Sequence, residues 1–150
     1  MTKSRLFGLA TMLVALAMLT TRVSVADEAH DHHGEHFMKC AKACSACQQA
    51  CASCFDHCVK QVAAGKKDHA TTVRTCADCG QVCALAATLS ASQSPMAMPV
   101  CEACAKVCDD CAKACEKFDG DKHMAACAKS CRDCAKACRE MTKHGKGDPK

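Results

Sequence analysis

Cysteine is the residue type in this chain best suited to chemistry, and its spacing is regular. The chain has 18 cysteines in 150 residues, and from Cys40 to Cys58 they recur at alternating steps of four and three. Such steps average about 3.5 residues, the period of a helix face that packs in a bundle. All the cysteines lie in four runs of this kind: Cys40, Cys44, Cys47, Cys51, Cys54 and Cys58; Cys76, Cys79 and Cys83; Cys101, Cys104, Cys108, Cys111 and Cys115; and Cys127, Cys131, Cys134 and Cys138. The pattern predicts four helices that each present a row of thiols to one core.

Thiolates in continuous rows favour one metal over the others. Soft thiolate ligands select copper(I), zinc or iron–sulfur clusters. Structural zinc takes closed sets of four ligands, and iron–sulfur clusters take cysteines from loops that wrap around them, so a long row of thiols on a helix resembles neither. Copper(I) accepts two or three sulfurs and can therefore bind between neighbouring thiols anywhere along a row.

The CxxxC spacing supplies candidate sites, because residues four apart lie on the same face of a helix. The pairs are Cys40/Cys44, Cys47/Cys51, Cys54/Cys58, Cys79/Cys83, Cys104/Cys108, Cys111/Cys115, Cys127/Cys131 and Cys134/Cys138. At two thiolates per ion the cysteines would hold about nine copper(I) ions, and more if sulfurs bridge. Many equivalent sites suit storage, whereas one tight site would suit a copper chaperone or an electron-transfer protein. Loading must expel protons, so the affinity should rise with pH.

Three other interpretations remain open. A metallothionein-like zinc or cadmium buffer would use the same thiols. A disulfide-stapled structural bundle would fit the cysteine content, although thiols on one helix face leave few pairs close enough to bridge. A thiol redox enzyme is disfavoured, because no CxxC motif opens a helix beside a βαβ pattern and no lone cysteine stands with a base. The sequence therefore predicts a binding protein and not an enzyme.

The segments around the cysteines predict helices over 37–64, 69–89, 100–117 and 122–143. Gly65 suits the position after the first helix, and Asp68 and Asp121 suit the caps of the second and fourth. Short connections favour antiparallel neighbours. The predicted fold is all-α, an antiparallel up-down-up-down four-helix bundle with a cysteine-lined core, over 37–145, followed by a basic tail at 146–150.

The first 26 residues have the layout of a secretory signal peptide. Lys3 and Arg5 precede an apolar run of about 14 residues, shorter than the ~20 that span a bilayer, and small residues at 24–26 offer a cleavage site. We therefore expect cleavage after Ala26, export to the periplasm and no stable membrane insertion of the mature chain. Residues 27–36 would form a histidine-rich, disordered leader. Three of the cations behind the formal net charge of +4 lie in the signal segment, so charge gives no argument for nucleic acid binding.

The stretch from 37 to 143, with CxxxC pairs in heptad-phased runs, resembles the copper storage proteins, cysteine-lined four-helix bundles of bacteria. The resemblance implies many copper(I) ions along the bundle interior, all 18 cysteines as candidate ligands, and histidine or methionine residues near an entrance. With the predicted signal peptide, it indicates the exported branch of that family. The expected partners are copper ions, copper donor or acceptor proteins, and further copies of the chain.

Other candidate ligands would gather at the two ends of an antiparallel bundle. One end would carry His36, Met96, Met98 and Met141, and the other would carry His69, His123 and Met124. A methionine at a core position is more often a packing residue than a ligand. The pair in the connection before the third helix is the more suggestive, because thioether sulfur is a soft ligand, so we expect the Met96 and Met98 end to be the copper entrance. The expected function is copper(I) sequestration, for detoxification or for supply to copper enzymes.

Overall fold

Four α-helices make up most of the structure. This computed structural model describes residues 32–144, and its helices are α1 (His32–Ala63), α2 (Ala70–Ala91), α3 (Ala97–Cys115) and α4 (Lys122–His144). A short 3₁₀ turn, Lys67–His69, precedes α2. Between residues 32 and 144 there is no strand, and the predicted all-α class is confirmed.

Each helix packs against two others, so the four close into a ring. α1 contacts α2 and α4, and α3 contacts the same two helices. Ring contacts give the direction of α1 relative to α4: His36, near the start of α1, stacks on His144 at the end of α4, and His57 stacks on His123 near the start of α4. Consecutive helices are joined by short connections. The antiparallel up-down-up-down bundle is confirmed.

Cysteine and alanine fill the centre of the ring. None of the 18 cysteines is more than 1% exposed, and buried alanines such as Ala112 pack between them. Because these side chains are small, thiols of opposite helices come into contact, as where Cys47 of α1 lies 3.9 Å from Cys108 of α3. The two largest fully buried side chains, Met124 and Met141, lie near the start and the end of α4. The predicted cysteine-lined core is confirmed.

α1 begins at His32, five residues before the predicted start. Residues 32–36, assigned by the sequence to a disordered leader, are therefore helical. Glu35 lies in the first turn, where a carboxylate interacts favourably with the helix dipole. The buried ring of Phe37 follows and anchors the turn to the core. A polar, histidine-rich segment has no apolar periodicity, which is why the sequence pattern places the start too late.

The end of α1 follows the predicted glycine geometry. Gly65 has a positive φ of 90°, and its N–H donates to the Val62 carbonyl at 2.9 Å. The next N–H, of Lys66, donates to the Gln61 carbonyl at 3.0 Å. These two bonds are the pair that defines a Schellman motif, in which a residue without Cβ accommodates the left-handed backbone at low cost.

The two predicted aspartate caps have different outcomes. Asp121 caps α4, because its Oδ1 accepts the N–H groups of His123 at 2.9 Å and Met124 at 3.2 Å. Asp68 is not a cap, and that prediction is wrong. It lies inside the 3₁₀ turn, where its carboxylate contacts the ring of His69, and α2 has no side-chain cap. The 3₁₀ turn itself continues into α2 and makes a separate cap unnecessary.

The connection between α2 and α3 is shorter than predicted. α2 runs to Ala91, and α3 begins at Ala97 instead of Val100. Pro99 therefore lies in the first turn of α3, where its missing N–H removes no helical hydrogen bond. As a consequence Met98 belongs to α3, and Met96 directly precedes it.

Part of the sequence prediction concerns residues that the structure does not describe. The signal segment at 1–26, the leader up to residue 31 and the tail at 146–150 lie outside the described residues. Within 32–144, no helix is both long enough and apolar enough to cross a membrane.

Gly80 gives a first testable prediction, since it lies inside α2 where glycine is unfavourable. An added Cβ would lie 3.6 Å from the Cβ of Cys51 and 3.9 Å from the carbonyl of Gln48, which is ordinary contact. We expect Gly80→Ala to raise the free energy of unfolding of the reduced apoprotein by about 0.5–1 kcal/mol, measured by urea denaturation. Ala77→Gly, in the same helix, should lower it by a similar amount. A less stable Gly80→Ala variant would mean that α1 and α2 cannot tolerate the added methyl group.

Candidate metal centre

The cysteines form one continuous array through the bundle, here called the thiol ladder and defined by all 18 of them. Several groups of four have Sγ atoms within 4.8 Å of one another, and each group takes its members from three or four helices. These groups include Cys44/Cys104/Cys134/Cys138, Cys47/Cys51/Cys79/Cys131, Cys47/Cys83/Cys108/Cys134, Cys51/Cys111/Cys127/Cys131 and Cys54/Cys76/Cys115/Cys127. The ladder therefore offers clustered thiols at many levels of the bundle.

The shortest thiol contacts in the ladder join different helices. Where CxxxC partners touch, as for Cys40 and Cys44, their Sγ atoms lie 3.9 Å apart. Across helices, Cys44 lies 3.5 Å from Cys134, and Cys83 lies 3.5 Å from Cys108. An ion held by a CxxxC pair would thus have further sulfurs close by on other helices. The predicted pair is only part of each site.

All 18 cysteines are free thiols. The closest sulfurs of the ladder are 3.5 Å apart, whereas a disulfide bond is about 2.05 Å long. Free, mutually close thiols are the form that binds metal ions, because the thiolate is the ligand. The disulfide-stapled alternative is therefore not favoured.

Protonation in the ladder is shared among neighbouring thiols. The hydrogen bond with Cys108 lowers the pKa of Cys79 to about 6, while burial and the charge of nearby Cys54 raise the pKa of Cys58 to about 12. Hydrogen bonds with neighbouring thiols hold the pKa of Cys131 well above its usual range. A thiolate in this core is stabilised by neighbours that keep their protons. Only cations that replace the protons allow all the thiols to ionise together.

One end of the bundle, here called the methionine end, carries His36, Met96, Met98, Met141 and His144. The rings of His36 and His144 stack with their centroids 4.0 Å apart. Met141 is fully buried, Met98 packs against the core, and Met96 is 57% exposed. The end thus presents one thioether to solvent and holds others nearer the ladder.

The opposite end, here called the histidine end, carries His57, His69, His123 and Met124. The Sδ atom of Met124 accepts hydrogen bonds from the thiols of Cys54 at 3.5 Å and Cys58 at 3.6 Å. Met124 is therefore in direct contact with the ladder and offers a soft thioether sulfur there. His69 is buried, whereas His123 is exposed.

Shared cysteines decide which kind of ion the ladder suits. A tetrahedral zinc site would need Sγ atoms about 3.8 Å apart, which a single group of four approaches. However, Cys131 and Cys134 each belong to two of the groups, so these groups could not all be the closed four-ligand sites, with no shared cysteine, that structural zinc prefers. Copper(I), with fewer sulfurs per ion and thiolates that bridge, can use shared ligands. The geometry favours a soft ion of low coordination number.

The cysteine pattern does not predict two further contacts of the site. The hydroxyl of Ser90 lies 3.4 Å from the thiol of Cys101, yet the sequence places that serine in a connection. His57 binds the carboxylate of Asp121 at 2.8 Å, although His57 lies off the cysteine face of its helix. The predicted cap at Asp121 is the one signal that points to this carboxylate.

Comparison with known proteins gives a consistent result. The family model for copper storage proteins matches residues 33–143. The chain is similar to apo copper storage protein 3 from Bacillus subtilis, with 35% identity over 69% of this chain and 96% of that chain and a TM-score of 0.61. It is also similar to a cytosolic copper storage protein from Streptomyces lividans, in a structure with five coppers, with 30% identity over 74% of this chain and 95% of that chain and a TM-score of 0.68. No curated protein sequence matches.

The expectation that the chain is exported to the periplasm is wrong. The similar Streptomyces lividans protein is described as cytosolic, which contradicts both the periplasmic location and the exported branch. A short apolar run behind two basic residues is too general a pattern to decide the compartment.

Proposed function

Because the chain belongs to the copper storage protein family, we propose that it binds and stores several copper(I) ions along its thiol ladder. The observation that carries this proposal is the repetition of buried, free four-thiol groups through the core. Similar structures are described as Cu(I)-bound or as loaded with 10 copper equivalents. Storage would serve copper detoxification or supply to copper enzymes. The role is binding and not catalysis, since the thiols are buried away from any substrate.

We assign the ligands in two sets. The first is the thiol ladder itself, in which all 18 cysteines are ligands. The second set contributes at the two ends of the bundle: His36, Met96, Met98 and Met141, and His69, His123 and Met124. Met124 has the strongest support in this second set, because its sulfur touches two ladder thiols.

Metal competition tests the proposal against a zinc or cadmium buffer. Reduced apoprotein would be loaded with zinc(II) and then titrated with copper(I) under anaerobic conditions, with both metals counted per chain. We expect copper(I) to displace the zinc completely, because shared, low-coordinate thiolates suit the softer ion. Zinc that stays bound to the thiols at saturating copper(I) would support the buffer instead.

Shared ligands predict unequal effects of cysteine substitution. Cys131→Ser with Cys134→Ser removes two thiols that each belong to two four-thiol groups, and we expect the copper(I) capacity to fall by about two ions or more. Cys40→Ser with Cys58→Ser also removes two thiols, but at the two ends of the α1 run, and should cost about one ion. Copper per chain at saturation measures both. Equal losses would show that the ladder consists of independent pairs.

The methionine end is proposed as the copper entrance. Replacing Met96 and Met98 together by leucine keeps the side-chain volume but removes both thioethers, so we expect slower copper(I) uptake with unchanged capacity. Stopped-flow loading from a copper(I) chelate measures the rate. The wild type is the control, because the other exposed methionine, Met38, lies near the start of α1 and so at the same end. If the double variant loads as fast as this control, copper enters elsewhere.

We propose, in addition, that the chain self-associates and exchanges copper with donor or acceptor proteins. Phe55 is 39% exposed and Leu85 is 51% exposed, and Phe55 lines a groove between α1 and α2. Apolar side chains of this size on a surface favour contact with another protein. Analytical ultracentrifugation of the wild type and of Phe55→Glu with Leu85→Glu tests self-association, and a monomeric wild type would contradict it.

A further inference from the structure

A serine continues the cysteine face of α2 toward the methionine end of the bundle. The steps of three and four that join the cysteines of this helix continue past Cys83 to Ala86 and then to Ser90. Both of these residues are fully buried. Serine differs from cysteine by an oxygen in place of the sulfur, and oxygen is a hard ligand that copper(I) disfavours relative to sulfur. At the level of Ser90, α2 therefore presents a hydroxyl where the ladder would otherwise have a thiol.

The hydroxyl of Ser90 lies in one layer with a thiol from each of the other three helices. Its Oγ is 3.4 Å from the Sγ of Cys101 of α3. Cys40 of α1 lies 3.6 Å from Cys101 and 3.6 Å from Cys138 of α4. These four residues, here called the serine layer, supply three thiols and one hydroxyl. The five four-thiol groups named above contain neither Cys40 nor Cys101, so the serine layer is a candidate site of a different composition.

The Ser90 hydroxyl bonds to a thiol instead of to its own helix. Hydroxyls within helices commonly donate to the carbonyl four residues earlier, as Thr88 does to Ala84 at 3.0 Å and Ser92 does to Thr88 at 3.2 Å. In the part of the chain that the structure describes, the one hydrogen-bond contact of the Ser90 hydroxyl is Cys101. A thiolate or a copper-bound sulfur carries no proton, so the hydroxyl must donate to it. The bond therefore acts on the sulfur in the state that binds metal.

The serine layer is the level of the ladder next to the methionine end. Cys101 follows Met98 by three residues on α3, and Cys138 precedes Met141 by three residues on α4, so each thiol lies about one helical turn from a methionine. The layer also leads inward, because Cys138 lies 3.6 Å from Cys44, which belongs to a four-thiol group. A copper(I) ion in the serine layer would thus have thioethers on its outer side and further thiols on its inner side.

We propose that Ser90 is a positioning residue that makes the serine layer the exchange site for copper(I), the level of the ladder that fills and empties most rapidly. This inference rests on the storage function proposed above. The layer holds an ion less tightly than a four-thiol group does, because its fourth place offers only a hydroxyl. The same hydroxyl donates to the Cys101 sulfur, which orients this ligand and favours its ionised form. The layer therefore binds copper(I) well enough to capture it and weakly enough to pass it on.

The test follows copper(I) release from the loaded protein to an excess of a competing chelator, by stopped-flow absorbance under anaerobic conditions. We expect the wild type to lose about one ion per chain in a fast phase, before the others. Ser90→Cys supplies a fourth thiol of nearly the same shape and should slow this phase about 10-fold or more. Ser90→Ala removes the hydrogen bond to the Cys101 sulfur and should speed the phase about 10–100-fold. A purely structural role would shift both variants in the same direction.

Thr72→Cys is the matched control, because Thr72 is a buried hydroxyl residue near the other end of the same helix. A thiol there should leave the fast phase at the wild-type rate. A fast phase that neither Ser90 variant changes, or that only the control variant slows, would overturn the exchange site. Copper counted per chain in the same samples keeps the two proposals apart. A wild type that saturates at one or two ions contradicts storage and the exchange site together, whereas a fully loaded wild type without a fast phase contradicts the exchange site alone.

Discussion

Copper(I) loading is expected to raise the free energy of unfolding of the reduced protein by about 20 kcal/mol. A site that binds only the folded chain contributes about 4 kcal/mol when the free ion exceeds its Kd a thousandfold, so about five such sites reach that value. The ladder supplies the sites, because each four-thiol group exists only when helices from different parts of the chain are packed together. The measurement is thermal unfolding followed by circular dichroism, with the loaded protein expected to stay folded far above the apoprotein.

The composition of the core makes the apoprotein less stable to unfolding than the copper-loaded protein. Leu85 and Leu89 are the only leucines after residue 26; the first is exposed and the second is only partly buried. Cysteine and alanine bury little apolar surface per residue, so the hydrophobic contribution to folding is small. The matched control is the variant with Cys131→Ser and Cys134→Ser, which should gain less from copper(I) than the wild type. Equal unfolding temperatures for apo and loaded wild type would contradict a role of copper in stabilising the bundle.

The apoprotein is expected to unfold as the pH rises from about 8.5 to about 10. In the unfolded chain a thiol ionises near pH 8.5, whereas burial and the charge of Cys54 raise the pKa of Cys58 in the folded chain to about 12, and neighbouring thiols raise that of Cys131. Above pH 8.5 the unfolded state has therefore released protons that the folded state still holds. Stability then falls by about 1.4 kcal/mol per pH unit for each such thiol.

Several thiols acting together are enough to exceed the total stability of a small domain, which is about 5–15 kcal/mol. Six thiols have a lowered pKa: Cys79, which the hydrogen bond with Cys108 lowers to about 6, and Cys47, Cys101, Cys104, Cys111 and Cys127. These groups are already ionised in the folded chain below pH 8.5, so their contribution to stability does not change between pH 8.5 and 10. Urea denaturation of reduced apoprotein at a series of pH values measures the effect. The copper(I)-loaded protein is the control and should show no comparable loss, because its thiols have already given up their protons. An apoprotein as stable at pH 10 as at pH 7 would show that the folded thiols ionise freely.

The cysteine spacing predicts the helices and the core because it fixes which face of each helix is buried. Cysteines spaced about 3.5 residues apart all lie on one face of a helix, so that face must be the buried one. Gly65 and Asp121 mark helix ends, the first by its left-handed backbone and the second by its side-chain cap. The start of α1 at His32 could not be predicted in this way, because a polar segment has no apolar periodicity. Aspartate is a residue type that commonly caps helices, but Asp68 lies inside the 3₁₀ turn that leads into α2 and does not cap that helix.

The composition of each thiol group could not be read from the sequence. Spacing along one helix gives the CxxxC pairs, but the vertical register between helices depends on how the small side chains interlock. Contacts such as Cys44 with Cys134, at 3.5 Å, join residues far apart in the chain and follow from that register alone. The same holds for the contact between His57 of α1, which lies off the cysteine face, and Asp121, the cap of the neighbouring helix α4.

The most direct test of copper storage is a copper(I) titration of the fully reduced protein in the presence of a competing chelator, with copper counted per chain. The ladder predicts that several ions, up to about nine at two thiolates per ion, are held against the chelator. It also predicts that this uptake is lost when the ladder cysteines are replaced by serine. Saturation at one or two ions, or full uptake by the serine variant, would contradict storage in the thiol ladder.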